Sequence, residues 1–173
     1  MRRLLVFALV MLLGTTAAWA DDANDCLKGE GDIQIRGCSR IIKSGKLFGK
    51  PISKTNLATA YTGRGIAYES KGEVERAIAD YNKAIALDPK FAKAYTNRGV
   101  AYRKKGEVDR AIADFTKAIA LNPKSAAAYY NRGYTYANKG EYDRAIADFR
   151  KALEINPSIQ KAKKALKALG VTP

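Results

Sequence analysis

Three arginines in this chain are each followed by an aspartate sixteen residues later, a spacing that could bring two opposite charges together. The pairs are Arg64 with Asp80, Arg98 with Asp114, and Arg132 with Asp148. The planar guanidinium of arginine suits bidentate pairing with a carboxylate. Two hypotheses follow: the pairs tie neighbouring helices together, or the arginines face a groove and hold the carboxylates of a ligand. We favour structural ion pairs, because each arginine has its own acid.

Groups suited to catalysis are scarce in this sequence. It has no histidine, so the side chain that most often acts as a general base near neutral pH is missing. Glu73, Glu107 and Glu141 recur at equivalent places along the chain, which is typical of architectural residues, and no nucleophile stands beside a base. We therefore expect no catalytic residue and no cofactor, and predict that the protein is not an enzyme.

Cys26 and Cys38 are the only cysteines of the chain. In an oxidising compartment an even number of cysteines favours a disulfide. A bridge between these two would close a short loop, with a stabilisation of roughly 3 kcal/mol in the chain-entropy model. The alternative is two separately buried thiols. Since two cysteines without histidine do not complete a zinc shell, no metal site is expected.

The first twenty residues indicate the compartment. Two arginines near the start precede the ten-residue apolar run LLVFALVMLL, and Ala18-Trp19-Ala20 has the small-residue pattern of a cleavage site. The apolar run is shorter than the roughly 20 residues that a membrane-spanning helix needs. The sequence thus predicts a signal peptide over 1–20, cleaved near Ala20, and a protein that is periplasmic or secreted.

An internal repeat dominates the rest of the chain. Three units of 34 residues align at 58–91, 92–125 and 126–159. In the middle unit, Tyr95, Gly99 and Tyr102 have the i, i+4, i+7 spacing of one helix face, and Ala111, Phe115 and Ala118 have that of a second helix. A glycine inside a helix costs about 1 kcal/mol relative to alanine. Gly99 therefore indicates that the two helices approach closely, with Phe115 filling the space alongside.

This pattern resembles the tetratricopeptide repeat (TPR) family, whose tyrosine, small-residue, alanine, aromatic and proline places are filled in all three units. The resemblance covers 102 of 173 residues. It implies an all-α fold in which antiparallel helix hairpins stack into a right-handed α-solenoid, with the first helix of each pair lining a concave groove. One departure recurs, because arginine stands at 64, 98 and 132, where leucine is common in the family.

Both ends of such a solenoid need caps, since a repeat cannot bury its own apolar face. We expect residues 160–173 to form a C-terminal cap helix, with Ile159, Ala162, Leu166 and Leu169 on an apolar stripe and lysines opposite. Residues 21–57 are predicted to be a degenerate N-terminal helical unit followed by a connector, the stretch Ser44–Thr55, which is rich in glycine, proline and lysine.

The resemblance also implies a binding surface, made by first-helix residues that do not pack inside each pair. We expect a peptide-binding groove lined by Thr62, Ile66, Lys93, Thr96, Asn97, Val100, Arg103, Lys104, Tyr130, Asn131, Tyr134 and Asn138. Its basic, aromatic and amide groups suit an extended peptide, and we expect Asn97 and Asn131 to contact the peptide backbone. The sequence therefore predicts an exported, non-catalytic adaptor that holds a peptide or a partner helix of another protein.

Two alternatives to the adaptor remain open, and the first rests on the basic composition, with 31 Lys and Arg against 17 Asp and Glu. One is an electrostatic binder of anionic envelope material, a membrane surface or a polymer, through Lys161, Lys163, Lys164 and Lys167. The other is a self-assembling structural spacer, and the sequence predicts no particular oligomeric state. A nucleic acid partner is not expected outside the cytoplasm.

Overall fold

The computed structural model describes residues 20–172, which are helical apart from short loops and one two-stranded sheet. Residues 20–28 form the first helix, α1. The others are α2 (Gly31–Ser44), α3 (Lys54–Ser70), α4 (Val74–Leu87), α5 (Ala92–Lys104), α6 (Val108–Leu121), α7 (Ala126–Asn138), α8 (Tyr142–Ile155) and α9 (Gln160–Ala168). The predicted signal peptide, except for Ala20, lies outside the described residues. Within those residues, no helix has the length and apolar character needed to cross a membrane.

The chain divides into two compact units, Met1–Asp88 and Pro89–Pro173. In the first unit α3 packs against α4 as a helix pair, and α2 packs on α3. In the second unit α5 pairs with α6 and α7 with α8, while α6 also packs on α7 and α9 packs on α8. The prediction of two helices per repeat is confirmed.

The middle repeat shows how the sequence sets the ends of these helices. Helix α5 ends at its C-cap Lys105, and Gly106 follows with a φ of 78°. This left-handed conformation is the one that glycine adopts at helix ends without steric cost. Helix α6 ends at its C-cap Asn122, directly before Pro123, whose ring nitrogen has no hydrogen to donate to a continuing helix.

Close contact between paired helices depends on a glycine that faces an aromatic ring. A Cβ added at Gly99 would lie 2.7 Å from Cε1 of Phe115, and one at Gly65 would lie 2.6 Å from Cε1 of Tyr81. Both rings are fully buried. The expectation that Gly99 permits close approach beside Phe115 is therefore confirmed.

Helices α1 and α2 are joined by the disulfide Cys26–Cys38, whose two residues are buried. The helices also touch at Gly37, where an added Cβ would lie 2.7 Å from the backbone nitrogen of Cys26. Sγ of Cys38 lies 3.3 Å from the Cβ position of Gly63 on α3. The disulfide therefore sits in the contact between the N-terminal pair and the first repeat.

The stretch Ser44–Thr55, predicted as a connector, contains a β-hairpin. Strands β1 (Lys46–Leu47) and β2 (Lys50–Pro51) pair antiparallel. Phe48 and Gly49 form the turn, with φ of 50° and 76°, and two successive positive φ values are typical of a type I′ turn. Asn-Gly is the usual sequence of such a turn. Because Phe48 stands where asparagine is usual, the sequence did not indicate a hairpin here.

The C-terminal helix α9 buries Ala162 and Leu166 in a cluster with Ala145 and Phe149 of α8. Ile159 and Leu169 pack at the edge of the same cluster. The four residues of the predicted apolar stripe thus lie together against the last repeat.

Candidate functional site

Each of the three arginines lies against its aspartate inside its own helix pair. Nε and Nη2 of Arg132 donate to the two carboxylate oxygens of Asp148 at 2.8 and 2.9 Å. The same two bonds join Arg64 to Asp80 and Arg98 to Asp114, at 2.7 and 2.8 Å in each pair. The aspartates are only 5–6% exposed. Both oxygens of each carboxylate are therefore engaged within the protein.

Arg64 and Arg132 also contact the preceding helix pair, and each of the three arginines lies near two aromatic rings. Nη1 of Arg132 donates to Oγ1 of Thr116 on α6 at 3.1 Å, and Nη1 of Arg64 donates to Oγ of Ser39 on α2 at 3.0 Å. The guanidinium of Arg132 lies 5.8 and 5.9 Å from the ring centres of Tyr129 and Tyr136. The hydrogen bond to Asp148 raises the pKa of Arg132 above its usual value. Each of these contacts stabilises the charged form within the helix stack.

Sequence analysis missed a second series of arginines, at the start of the second helices. In the middle repeat, Nη2 of Arg110 donates to the hydroxyl of Tyr102 at 2.6 Å, and its guanidinium lies 4.0 Å from the centre of that ring. Nη1 donates to Glu107 at 2.5 Å. Arg76 makes the same contacts with Tyr68 and Glu73. The recurring Glu-x-x-Arg spacing was the signal that could have predicted them.

The predicted groove residues of the second unit lie on α5 and α7, which contact each other. We call this surface the α5–α7 face; it comprises Lys93, Thr96, Asn97, Val100, Arg103, Lys104, Tyr130, Asn131, Tyr134 and Asn138. The guanidinium of Arg103 on α5 lies 4.8 Å from the ring centre of Tyr134 on α7. The ring of Tyr134, which is 39% exposed, lies 6.3 Å from that of Tyr130. A basic group and two aromatic rings from neighbouring repeats are thus close together.

Two side-chain donors of this face are buried and have no hydrogen-bond partner. They are Nδ2 of Asn97 and Nε of Arg103, both on α5. Leaving a buried donor unsatisfied costs about 1–3 kcal/mol, and the large majority of buried polar groups in proteins are paired. The two residues as a whole are only half-buried, so other atoms of each side chain lie at the surface.

Asn131 occupies the same register position as Asn97 but differs from it in bonding. Its Nδ2 donates to the backbone oxygen of Ala127 at 2.9 Å. The amide nitrogen of Asn131 is therefore satisfied by its own helix, whereas that of Asn97 has no hydrogen-bond partner. Sequence analysis assigned both residues the same role.

Thr62, which was predicted to line the groove, is buried in the structure. The residue is 2% exposed, and its hydroxyl donates to the backbone oxygen of Ala58 at 2.9 Å. A side chain this deeply buried does not present its hydroxyl to a ligand. Ile66, the other groove residue predicted on α3, is half-buried in the first unit.

The other groove residues differ in exposure. Lys93, Lys104 and Asn138 are exposed, and Val100 is half-buried. The hydroxyl of Thr96 donates to the backbone oxygen of Ala92 at 3.1 Å. Tyr130 also packs at 5.7 Å on the ring of Phe149, and burial raises the pKa of its hydroxyl. Tyr130 thus belongs partly to the core.

The described residues were also compared with the requirements of a metal site. Within residues 20–172, no group of three or more His, Cys, Asp and Glu side chains is arranged to hold a metal ion.

Two family models match the chain, one described as tetratricopeptide repeat over residues 96–158 and one as TPR repeat over residues 65–106. The TPR domain of OM64 from Arabidopsis is 31% identical, with a TM-score of 0.66, and the match covers 68% of this chain and 97% of that domain. The chain belongs to the tetratricopeptide repeat family. The predictions of the family and of its all-α solenoid fold class are thus confirmed.

Two other solved structures are similar to this chain. The crystal structure of MamA is 30% identical, with a TM-score of 0.66, and the match covers 81% of this chain and 79% of MamA. The second TPR domain of human RPAP3, in complex with the HSP70 peptide SGPTIEEVD, is 30% identical, with a TM-score of 0.64, and the match covers 68% of this chain and 98% of that domain. No curated protein sequence matches the chain. The fold is that of a protein-interaction scaffold, which in human RPAP3 holds a peptide.

Proposed function

We propose that this protein is an exported, non-catalytic adaptor whose α5–α7 face holds an extended, acidic peptide segment of a partner protein. The proposal is carried by the two buried donors without a partner, Nδ2 of Asn97 and Nε of Arg103. In the ligand-free protein these unsatisfied donors raise the free energy of the folded state. A ligand that accepts hydrogen bonds from them recovers that cost and so gains affinity.

The two donors suit different parts of a peptide. The amide of Asn97 can donate to a backbone oxygen and accept from a backbone N–H, as amide side chains do. Arg103 is held by its stacking on Tyr134 and can donate to a carboxylate in a charge-assisted bond. Lys93 and Lys104, which are exposed on the same helix, add positive charge. Together these groups favour a peptide that carries acidic side chains.

The three Arg–Asp pairs have a different role in this proposal. Their carboxylates already occupy two donors of each guanidinium, and the aspartates are nearly inaccessible to solvent. We assign Arg64, Arg98 and Arg132 to the structure of the helix stack.

The test is the binding of a labelled acidic peptide, measured by fluorescence anisotropy with the purified protein. SGPTIEEVD is the probe, because it is bound by a TPR domain 30% identical to this chain. Its neutral analogue SGPTIQQVN is the peptide control. We expect the acidic peptide to bind and the neutral one to bind at least tenfold more weakly. Equal affinity for both peptides, or no binding of either, would overturn the assignment to an acidic peptide.

Matched variants locate the site on the protein. Asn97→Ala is expected to weaken peptide binding about tenfold, the equivalent of one hydrogen bond of about 1.4 kcal/mol. Asn131→Ala is the control, because its amide is bonded to Ala127, and it should change the affinity less than twofold. Arg103→Gln is compared with Arg150→Gln, which removes the same charge from an exposed site on α8. If both arginine variants lose affinity equally, the net charge and not the α5–α7 face determines binding.

Export has its own test. We expect the protein recovered from the cell envelope or medium of expressing cells to begin at Asp21 when its N-terminus is sequenced. Recovery from the cytoplasm with residues 1–20 intact would contradict the proposed export and leave the binding proposal standing.

A further inference from the structure

The β1–β2 hairpin carries an aromatic side chain whose position neither packing nor turn chemistry explains. Phe48 stands at the tip of the hairpin and is 61% exposed. Its φ of 50° is in the left-handed region, which costs a residue with a Cβ roughly 1–2 kcal/mol. Asparagine or glycine fits such a turn better. A large apolar group is thus held outward at a site where the backbone disfavours it.

The chain around this hairpin is strongly basic. Residues 33–68 include seven Lys and Arg and no Asp or Glu. Arg40 is paired with Asp22 and Asp25, and Arg64 is paired with Asp80. Four exposed lysines occur on and beside the hairpin: Lys43, Lys46, Lys50 and Lys54. Basic side chains therefore outnumber acidic ones next to Phe48, where the cavity lining includes Arg40, Lys43 and Lys46 with Asp22.

Two cavities connect Phe48 with a second exposed apolar residue. The larger, about 460 Å³, is lined by Ile41, Leu47 and Phe48, with Asp22, Arg40, Lys43, Ser44 and Lys46 around them. The smaller, about 80 Å³, shares Ile41 and Leu47 and reaches Leu27, which is 65% exposed. Leu27 and Phe48 thus line two cavities that share Ile41 and Leu47, and basic side chains line the larger one.

We propose that this hairpin surface, defined by Leu27, Lys43, Lys46, Phe48 and Lys50, docks the protein on an anionic phospholipid bilayer. Phe48 and Leu27 enter the interface between headgroups and acyl chains, where apolar side chains leave water. The lysines lie among the anionic headgroups, which attract basic residues near the membrane surface.

The shape of the surface favours a bilayer over a folded protein. A single exposed ring at a two-residue turn can enter the soft headgroup region without a matching socket. The attachment is peripheral, with only side chains of the hairpin surface entering the bilayer. It is also independent of peptide binding, since none of its residues belongs to the α5–α7 face.

The experiment is co-sedimentation of the purified protein with vesicles of phosphatidylcholine mixed with phosphatidylglycerol, compared with vesicles of phosphatidylcholine alone. We expect binding to the mixed vesicles and at least tenfold weaker binding to the neutral ones. Phe48→Asn removes the ring, and asparagine tolerates the left-handed turn, so this variant is expected to keep the fold and to bind at least tenfold more weakly. The matched control is Tyr142→Asn, at another exposed aromatic residue, 56% exposed, which should bind like the parent protein.

A second pair of variants tests the location of the charge. Lys43→Gln/Lys50→Gln is expected to weaken binding about thirtyfold, the equivalent of roughly 1 kcal/mol for each lysine. Lys161→Gln/Lys164→Gln changes the net charge equally on α9 and should have little effect. Circular dichroism checks that every variant is folded, and Phe48→Gly replaces Phe48→Asn if the latter is not.

Three results would overturn the proposal. The first is equal binding of the protein to both kinds of vesicle. The second is binding of Phe48→Asn that matches that of the parent. The third is a greater loss of binding in the α9 double variant than in the hairpin double variant. The second result would mean that charge attracts the protein without insertion of the ring. The third would place the basic contact on the C-terminal helix.

Discussion

The α1–α2 pair and the α7–α8 pair are both short helix hairpins with a glycine at their contact, Gly37 and Gly133 respectively. Different groups hold the two pairs together. In α1–α2 the buried link is the Cys26–Cys38 disulfide. The ion pairs of Arg40 there lie at the surface, where its side chain is 49% exposed. In α7–α8 the buried link is the pair Arg132–Asp148, with side chains 18% and 8% exposed.

The size of the apolar core explains why the two pairs differ. The buried cluster around the disulfide contains only Cys26, Cys38, Ile41 and Ala60, and no aromatic ring is among its buried members. The cluster at α7–α8 contains the buried ring of Phe149 and Leu166 of α9. A disulfide stabilises a region that buries little apolar surface, as in small secreted domains. Exposed ion pairs such as those of Arg40 contribute little to stability.

The largest expected effect comes from breaking the buried pair of α7–α8. Asp148→Ala leaves the Arg132 guanidinium without its carboxylate, and losing one partner of a buried pair costs about 3–5 kcal/mol. Since Arg132 is 18% exposed and keeps its bond to Thr116, we expect a loss at the lower end, about 3 to 4 kcal/mol. Urea denaturation followed by circular dichroism measures it.

Asp143→Ala on the same helix is the control for that variant. Asp143 is exposed, and surface substitutions usually change stability by no more than about 0.5 kcal/mol. Similar losses for the two variants would mean that the Arg132–Asp148 pair does not hold α7 to α8.

Removing the disulfide should destabilise the other pair by a somewhat smaller amount. For cysteines 12 residues apart, the chain-entropy model gives a loss of roughly 3 kcal/mol for Cys26→Ala/Cys38→Ala. The effect should be local. In hydrogen exchange measured by mass spectrometry, we expect protection to fall in residues 20–44 and to stay unchanged in α7–α8. Unchanged protection in α1–α2 would contradict the role given to the disulfide.

The glycine contacts should give the third effect in size. A Cβ at Gly37 would lie 2.7 Å from a backbone atom of Cys26, whereas one at Gly99 would meet the movable ring of Phe115. Overpacking costs typically about 1–3 kcal/mol, so we expect about 2 to 3 kcal/mol for Gly37→Ala. Gly99→Ala should cost about 1 to 2 kcal/mol, because alanine also favours the helix by about 1 kcal/mol.

The double variant Gly99→Ala/Phe115→Leu tests the cause of the Gly99 effect by denaturant titration. If the ring is what the added methyl group meets, the cost of Gly99→Ala should be smaller in the Phe115→Leu background. An equal cost in both backgrounds would point to a cause other than the ring.

The smallest expected effect is electrostatic and depends on pH. Hydrogen bonds from Lys105 and Arg110 lower the pKa of Glu107 from its ordinary value of 4.5. A carboxyl group with a lowered pKa in the folded state stabilises the fold above the unfolded-state pKa, and this stabilisation is lost as the pH falls through the lowered value. The difference in stability between the parent and Glu107→Gln should therefore be present near neutral pH and shrink below pH 4.5.

Thermal unfolding across the acidic range measures this difference. Glu30→Gln, at an exposed site before α2, is the control. A gap between parent and Glu107→Gln that does not change with pH would contradict the assignment to Glu107.

Features that recur with the 34-residue period could be predicted from the sequence. The helix pairs and the contact of Gly99 with Phe115 follow from local spacing, because each unit repeats the same packing. The hairpin at Phe48 could not be predicted, since a phenylalanine in the left-handed region runs against the turn preference. Nor could the burial of Thr62, which is set by the side chains packed around it. Asn97 and Asn131 share one residue type and one register position, and only the hydrogen bond to Ala127 distinguishes them.

The central claim is that α5 keeps unsatisfied donors for a peptide while the equivalent position of α7 does not. The most direct measurement is a titration of the isotope-labelled protein with SGPTIEEVD, followed by the NMR signals of the side-chain amides of Asn97 and Asn131. We expect the Asn97 signals to shift saturably with the peptide and those of Asn131 to stay nearly constant. Larger shifts at Asn131 than at Asn97, or saturable peptide binding that moves neither, would contradict the claim.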